Sequence, residues 1–293
     1  MTTDTLVLRS PDAFVASLPY LLGFEPDESC VVAWLLDGRV ELTQRLDLPA
    51  GSEDLGPWMR ALWGHPLAGR ADEAIVAFVT RREPEPAVLA GILNEAGHRG
   101  CTVRDALLVR EGSWRSLLCR DADCCPPEGR HPEPSTADAV RAEFAVLGRA
   151  PLASRTALEQ QFAPDDLGAQ EVGRALEVPR VRRGARRERW RDAAIAVVAQ
   201  AWSDDDPVAS STTAQVLVGL ADTRVRDTVL WDLGRSQDPR TAAQSATRML
   251  AVAPRGLAAP IGTCCAIAWW LVGDGARARL ALERALGDDP GYT

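Results

Sequence analysis

The sequence predicts an α/β domain followed by an all-α domain, and three observations support this prediction. An unbroken apolar run rich in β-branched residues occupies positions 30–36, which is typical of a strand buried on both faces. A strand, a helix and a second strand are predicted at 74–80, 84–97 and 101–109, so the sheet should be partly parallel. Beyond residue 135 almost every segment has helical periodicity.

The first predicted element is a helix that leads into the buried strand. Ser10 is a favourable N-cap, Pro11 suits the first helical position, and Asp12 complements the helix dipole. Because Pro19 disfavours the helical conformation at the residue before it, the helix should end or kink near Leu18. We expect the apolar side chains of this helix, Leu18 and Leu22, to pack against the sheet.

Two tight turns predict hairpins in the same sheet. Asp37-Gly38 separates the buried strand from an alternating segment at 40–48, and Glu111-Gly112 separates 101–109 from a short strand at 114–119. A helix that begins at Ser52 or Asp54 should precede the strand at 74–80. One mixed sheet should therefore contain six apolar residues: Val31, Trp34, Val76, Phe78, Leu107 and Val109.

The helical part should contain nine helices separated by Pro, Gly and Asp signals. Their predicted ranges are 136–147, 154–162, 167–176, 186–202, 212–221, 225–233, 241–253, 257–272 and 275–286. The domains predicted from this pattern are a sheet domain at 1–120, a Cys/Pro-rich loop with a linker helix at 121–150, and a helical domain at 151–293.

The last two helices have a spacing typical of a tetratricopeptide-like hairpin. Five residues match the second helix of such a repeat: Gly273, Ala278, Leu282, Ala285 and Pro290. No 34-residue period precedes them. A generic antiparallel helical hairpin therefore stays open as the alternative.

Three segments carry a resemblance to a known family: LPYLLGFEPDES, CCPPEG and GDGARARLALERALGDDPGY. In order along the chain, they resemble an uncharacterised actinobacterial family known as a domain of unknown function (DUF 4192), over nearly the whole length. The resemblance implies no activity, substrate or catalytic residue. It also implies more chain after a segment like DPGY, so an end at Thr293 should leave apolar surface on the last helices, which a homo-oligomer would cover.

Composition limits the classes of partner. The chain has 293 residues, 46% of them hydrophobic, and a formal charge of -8, which opposes affinity for nucleic acids and anionic membranes. The longest apolar window, 261–272, is shorter than the roughly 20 residues that span a bilayer. The N-terminal sequence lacks a basic region followed by an apolar core, so we predict a cytoplasmic protein. In a reducing compartment its seven cysteines should be free, buried thiols.

Catalytic motifs are missing from the sequence. The chain contains no Lys, so it cannot form a P-loop or a lysine Schiff base, and it has neither G-x-S-x-G nor H-E-x-x-H. None of the three histidines, His65, His98 and His131, has a recognisable triad context. The G-x-G-x-x-A pattern at 273–278 follows a helical segment, so we interpret it as a turn between helices. Catalytic residues are left unknown, and no cofactor is predicted.

A short cysteine tract is the one metal candidate in the sequence. Cys119, Cys124, Cys125 and His131 carry side chains that zinc accepts as ligands. The C-x4-C-C spacing lacks the usual C-x2-C pair and makes neighbouring residues share one ion. We therefore predict no metal, with zinc at these four residues as the alternative.

A basic run next to Trp190 is the second charged candidate. It contains Arg180, Arg182, Arg183, Arg186, Arg187, Arg189 and Arg191. Guanidinium groups grip phosphate and Trp stacks on bases, which would suit a phosphate-bearing partner. Three acidic residues at 204–206 lie one helix away, so we favour a solvated helix start neutralised by nearby Asp and Glu.

Together these observations favour a binding or scaffolding protein whose helical surface contacts an unknown protein or peptide. The alternative is an enzyme with its active site at the carboxyl ends of the parallel strands, after Val79 and Val109. A deep pocket there with converging Asp, Arg and His side chains would favour the enzyme.

Overall fold

A computed structural model describes most of the chain, and its described residues are 10–51, 54–176, 184–203, 208–236 and 238–292. The chain divides into two compact units, Met1–Arg155 and Thr156–Thr293. The predicted fold class is confirmed, because the N-terminal half contains a mixed five-stranded sheet and the helices lie mostly in the C-terminal half. No helix in the described residues is long and apolar enough to cross a membrane.

The first unit contains the sheet, with the strand order β2-β1-β3-β4-β5. The strands are β1 (Ser29–Leu36), β2 (Arg39–Asp47), β3 (Glu73–Val79), β4 (Thr102–Arg110) and β5 (Ser113–Ser116). β3 and β4 are parallel, and the other neighbouring pairs are antiparallel. All six predicted apolar residues lie in this sheet, as does each predicted hairpin.

Both hairpin turns have the backbone that their sequences predict. Asp37, Gly38, Glu111 and Gly112 all have positive φ, at 52°, 73°, 48° and 81° respectively. Two consecutive residues with positive φ match the twist of the flanking strands in a two-residue hairpin. The local turn signal therefore fixed the pairing of β1 with β2 and of β4 with β5.

Four helices accompany the sheet in this unit: α1 (Pro11–Leu22), α2 (Leu55–Trp63), α3 (Pro86–Arg99) and α4 (Pro134–Val146). α2 and α3 pack on one sheet face, where the Trp34 and Trp63 rings meet edge to face at 4.7 Å. α1 packs against α4, with Tyr20 stacked on Phe144 at 4.7 Å.

Of the two outcomes predicted near Leu18, an end of α1 is wrong, because the helix continues through Pro19 to Leu22. A kink there stays a prediction. It ends at Gly23, which has φ of 80°, a conformation that glycine adopts without strain. Pro19 cannot donate a hydrogen bond to the Val15 carbonyl, but Leu18 and Leu22 on either side of it are both buried, which favours the helical conformation there. Ser52, the alternative start of α2, lies outside the described residues.

All nine helices predicted for the rest of the chain are present, within a few residues of their predicted bounds. After α4 these are α5 (Arg155–Gln160), α6 (Asp166–Ala175), α7 (Ala185–Ser203), α8 (Ser210–Leu220), α9 (Thr223–Leu233), α10 (Pro239–Ala251), α11 (Ala258–Val272) and α12 (Gly275–Asp288). The turn between α11 and α12 contains Gly273 with φ of 81°. This confirms that the G-x-G-x-x-A pattern is a turn between helices.

α11 and α12 form an antiparallel hairpin. The Asp288 carboxylate, at the end of α12, accepts hydrogen bonds from the backbone N–H groups of Gly256, Ala258 and Ala259 at 2.8, 2.9 and 3.3 Å. One carboxylate thus caps the start of α11 and fixes the register of the two helices. A tetratricopeptide-like relationship for this hairpin stays a prediction.

Candidate functional site

A cleft of about 610 Å³ lies at the carboxyl ends of the parallel strands β3 and β4. The strand ends are aligned, because Ser29 pairs with Val79, and Val79 pairs with Val109. The residues that follow these strands therefore lie side by side along one sheet edge. α1 supplies the apolar wall through Val15 and Leu18.

Charged side chains from four parts of the first unit line this cleft. The carboxylates belong to Glu25, Asp27 and Glu111, and the guanidinium groups belong to Arg81, Arg110 and Arg141. Glu25 and Asp27 lie between α1 and β1, Arg81 follows β3, Arg110 ends β4, and Arg141 belongs to α4. The lining charges are therefore balanced, and the acidic segment before β1 is next to the arginine that follows β3.

Glu28 does not line the cleft, but it contacts two residues that do, Thr80 and Arg81. Its φ is 40°, an uncommon value for a residue other than glycine. Its carboxylate accepts hydrogen bonds from the Thr80 hydroxyl at 3.0 Å and from the Arg81 backbone N–H at 3.3 Å. These contacts fix the start of β1 against the end of β3 and position the Arg81 backbone, so local strain at Glu28 is offset by long-range hydrogen bonds.

The cleft arginines contact protein carboxylates only at the surface. Arg81 Nε lies 3.8 Å from Glu111 Oε1, and Arg110 Nη2 lies 3.2 Å from Glu83 Oε1, with all four side chains well exposed. Exposed pairs of this kind contribute little stability, so these guanidinium groups can exchange partners at low cost. Within the described residues, the buried Nε of Arg110 has no hydrogen-bond partner.

Glu25 is the cleft carboxylate with a shifted pKa. Partial burial raises the pKa of its carboxyl above the ordinary value. Its backbone N–H donates to the Leu152 carbonyl at 2.9 Å, which holds the segment in place. Glu25 therefore accepts a proton more readily than an exposed glutamate does.

The cysteine tract places three of its four candidate ligands together. The Sγ atoms of Cys119, Cys124 and Cys125 lie within 4.8 Å of one another. His131 is not part of this group. Its Nδ1 lies 3.3 Å from the Gly112 carbonyl oxygen.

The predicted burial of all seven cysteines is wrong for the three of this tract, and it is right for the remaining four: Cys30, Cys101, Cys264 and Cys265. Burial raises the pKa of Cys264 and of Cys265 to about 12. Thiols of this kind stay protonated at neutral pH and act as small core side chains.

The basic run is partly neutralised by an acidic helix cap. Asp222 caps α9 and accepts hydrogen bonds from Arg191 Nε at 3.0 Å and from Arg187 Nη2 at 2.9 Å. Burial of Asp222 favours its protonated form, but these hydrogen bonds outweigh burial and lower the pKa of Asp222 to about 2. Three arginines of the run, at 180, 182 and 183, and the acidic residues at 204–206 lie outside the described residues.

The adjacent tryptophans Trp269 and Trp270 have different environments. Trp269 is buried, donates its indole N–H to the Thr247 hydroxyl at 2.8 Å, and has the Arg277 guanidinium over its ring. Trp270 is 69% exposed. Only Trp269 of the pair is therefore part of the core.

The cleft lies after Val79 and Val109, where the sequence placed the active site of the alternative enzyme, which stays a prediction. The sequence did not indicate which charged residues line the cleft. Arg81 and Glu111 follow strands directly, so their position after a strand end was a usable signal. Glu25 and Arg141 do not follow a strand of the sheet, so the sequence did not indicate that they line the cleft. Arg141 belongs to α4, and only the folded chain brings α4 to the strand ends. No histidine lines the cleft in the described part of the chain.

Comparison with known proteins identifies the family to which the chain belongs. No curated protein and no solved structure matches the chain. A family model described as a domain of unknown function, DUF4192, matches residues 11–293. Because this match covers nearly the whole chain, the protein belongs to the DUF4192 family.

Proposed function

We propose that the first unit binds a small zwitterionic molecule, of the class of amino acids and short peptides, in the cleft at the carboxyl ends of β3 and β4. The observation that supports this proposal is the balanced set of three guanidinium and three carboxylate groups around one cavity of about 610 Å³. That volume is within the range of small-molecule sites, roughly 300–1,000 Å³.

The charge arrangement favours a ligand with both signs of charge. Arg81, Arg110 and Arg141 can bind a carboxylate through parallel N–H donors, while Glu25 and Asp27 can accept hydrogen bonds from an ammonium group. The three carboxylates would repel a purely anionic ligand, and the three arginines would repel a purely cationic ligand. Like-charge contacts of this kind select against both classes.

An enzyme that acts on the same ligand is the alternative use of this cleft. The raised pKa of Glu25 favours that alternative, because a carboxyl group shifted toward neutral pH is a better general acid or base. Among the described residues that line the cleft there is no Ser, Cys or His, so no particular reaction is favoured and binding is the function that we propose.

Calorimetric titration of the full chain with individual amino acids and dipeptides tests the binding proposal. Arg81→Gln and Arg141→Gln should each weaken binding by about 10–100-fold, since a hydrogen bond to a charged group contributes roughly 1.5–3 kcal/mol. Arg104→Gln is the matched control, because Arg104 lies at the opposite end of β4 and pairs with Glu73 at 2.6 Å. The proposal is wrong if no compound in the panel binds, or if both cleft variants bind as tightly as the unmodified protein.

A second candidate function is protein binding by the helical unit, with another copy of this chain as the partner. The supporting observation is that large apolar side chains of α11 and α12 are exposed: Trp270 by 69%, Leu282 by 44% and Leu286 by 48%. Leu282 and Leu286 are one turn apart and so share a face of α12. Exposed apolar surface of this kind commonly marks an interaction site.

Sedimentation velocity over a concentration series tests this second candidate. The unmodified chain should show concentration-dependent self-association, and Leu282→Arg should reduce it. Leu167→Arg is the matched control, because Leu167 is a 75% exposed leucine on a different helix, α6. A monomer at every concentration would contradict self-association.

A further inference from the structure

We propose that Cys119, Cys124 and Cys125 form a thiolate site for one thiophilic divalent metal ion of the class of Zn²⁺, with the fourth coordination position open to an exogenous ligand. This site is separate from the cleft, and no part of the proposed function depends on it. The three Sγ atoms converge on one point, although the C-x4-C-C spacing in the sequence does not predict this convergence.

The spacing of the sulfur atoms suits a shared ion. All three Sγ atoms lie within 4.8 Å of one another, and those of Cys124 and Cys125 are 3.9 Å apart. Thiolates that bind Zn²⁺ at about 2.3 Å in a tetrahedral site are separated from one another by about 3.8 Å. Small side-chain rotations would therefore bring the three sulfur atoms to coordination distance.

Backbone hydrogen bonds hold the loop in this arrangement. The Asp121 carboxylate accepts from the N–H groups of Asp123 at 2.9 Å and of Cys124 at 3.4 Å, and the Asp121 carbonyl accepts from the N–H of Cys125 at 2.7 Å. The Cys119 N–H donates to the Ser116 hydroxyl oxygen at 3.0 Å, at the end of β5. The site is therefore largely preorganised, which lowers the entropy cost of binding an ion.

The accessibility of the three thiols supports the same inference. Cys124 is exposed and Cys119 and Cys125 are half-buried, whereas the other four cysteines are buried. An ion in solution can therefore reach these three sulfur atoms, and solvent can accept their protons. Binding would deprotonate each thiol and form three metal–sulfur bonds, with release of three protons per ion.

The donor set selects the class of metal. Thiolates are soft ligands and favour Zn²⁺ or Cu⁺ over Mg²⁺ or Ca²⁺. His131 is not part of the set, because only the three sulfur atoms lie within 4.8 Å of one another. Three protein ligands and an open position distinguish this site from closed four-ligand structural zinc sites.

Spectroscopic titration of the reduced full chain with Co²⁺ tests the proposal. We expect one Co²⁺ per chain, an intense near-ultraviolet thiolate-to-cobalt charge-transfer band, and loss of that band when Zn²⁺ displaces the cobalt. Cys119→Ser and Cys124→Ser should each weaken Co²⁺ binding by more than about 100-fold, because loss of a supporting second-shell group alone costs about 10–100-fold. Circular dichroism of each variant establishes that it is folded.

Two control variants separate this site from nonspecific binding. Glu128→Gln and His131→Ala change the same loop without removing a sulfur atom, and both should bind Co²⁺ as the unmodified chain does. A thiol assay under native conditions should also show that Zn²⁺ protects the accessible cysteines from modification. Absence of the charge-transfer band in the reduced chain, or its persistence in Cys124→Ser, would overturn the proposal. A disulfide within the trio that resists reduction and prevents Co²⁺ binding would overturn it as well.

Discussion

The indole N–H of Trp114 on β5 donates a hydrogen bond to the Asp12 carboxylate in the first turn of α1, with 2.6 Å between Nε1 and Oδ1. The second carboxylate oxygen accepts from the backbone N–H of Glu133, just before α4, at 3.3 Å. One side chain thus links α1 to β5 and to the start of α4. Because α1 and α4 both contribute residues to the cleft, this link also positions the cleft walls.

Removal of this carboxylate should destabilise the first unit. Asp12→Ala leaves the indole N–H of the buried Trp114 without an acceptor, which should lower the free energy of unfolding by about 2–3 kcal/mol. Urea denaturation followed by tryptophan fluorescence measures the change. Asp138→Ala, at an exposed position on α4, is the control and should change stability by less than about 0.5 kcal/mol. A similar effect of both substitutions would contradict a special role for Asp12.

The buried position of Leu107 in the sheet leads to a second prediction about stability. Leu107 on β4 is 1% exposed, so Leu107→Ala removes core contacts and leaves a cavity, which should cost about 2–5 kcal/mol. Leu118→Ala, at a position with 37% exposure, should cost much less. Urea denaturation of both variants is the measurement, and equal losses would show that packing at Leu107 is unimportant.

The sequence predicted well those structural elements whose conformation depends on residues that are adjacent in the chain. The Asp37-Gly38 and Glu111-Gly112 turns require positive φ at two consecutive residues, which those residue pairs supply, and the hairpins follow from the turns. The end of α1 was mispredicted because the preference at Pro19 is local, whereas burial of Leu22 depends on tertiary packing. Local propensity is decisive only where tertiary contacts do not oppose it.

The candidate site was predicted in position but not in composition. The carboxyl ends of parallel strands are a general location for ligands, so Val79 and Val109 indicated the place. Glu25 and Arg141 are separated from those strands by many residues, and no periodicity shows that α4 would bring Arg141 to the cleft. A C-x2-C spacing would have indicated a metal site at the cysteines. The chain lacks that spacing, and the turn at Asp121 brings the three sulfur atoms together instead.

The buried ion pairs of Asp222 predict a pH dependence. The pKa of Asp222 is lowered in the folded chain to about 2, so its ionised form stabilises the fold above the unfolded-state pKa of about 4. This contribution, about 2 kcal/mol, should be lost as the pH falls from about 4 through about 2. Urea denaturation midpoints measured from pH 5 down to pH 2 should show this loss, and Asp222→Asn should not show it.

The same substitution should also lower stability at neutral pH. Asn is a good helix N-cap, so Asp222→Asn preserves capping of α9 and removes only the charge that pairs with Arg187 and Arg191. Because the ionised form of Asp222 contributes about 2 kcal/mol, removal of its charge should cost about that amount. Asp227→Asn is the control. The Asp227 side chain is 63% exposed and pairs with Arg226, so this substitution should cost less than about 1 kcal/mol. Equal effects at the two positions would show that Asp222 is not a structural ion-pair partner.

Gly262 in α11 provides the last prediction, because it permits the close approach of α12. A Cβ at Gly262 would lie 2.8 Å from the Ala285 Cβ and 3.1 Å from the Ala281 carbonyl oxygen, so a methyl group there forces the two helices apart. Gly262→Ala should therefore cost about 1–3 kcal/mol, although Ala is the better helix former. Gly287→Ala in α12 is the matched control, since a Cβ there meets nothing within 4 Å and should stabilise the chain by up to about 1 kcal/mol. Thermal and urea unfolding of the two variants should thus shift in opposite directions, and a stabilising Gly262→Ala would show that the hairpin does not need this contact.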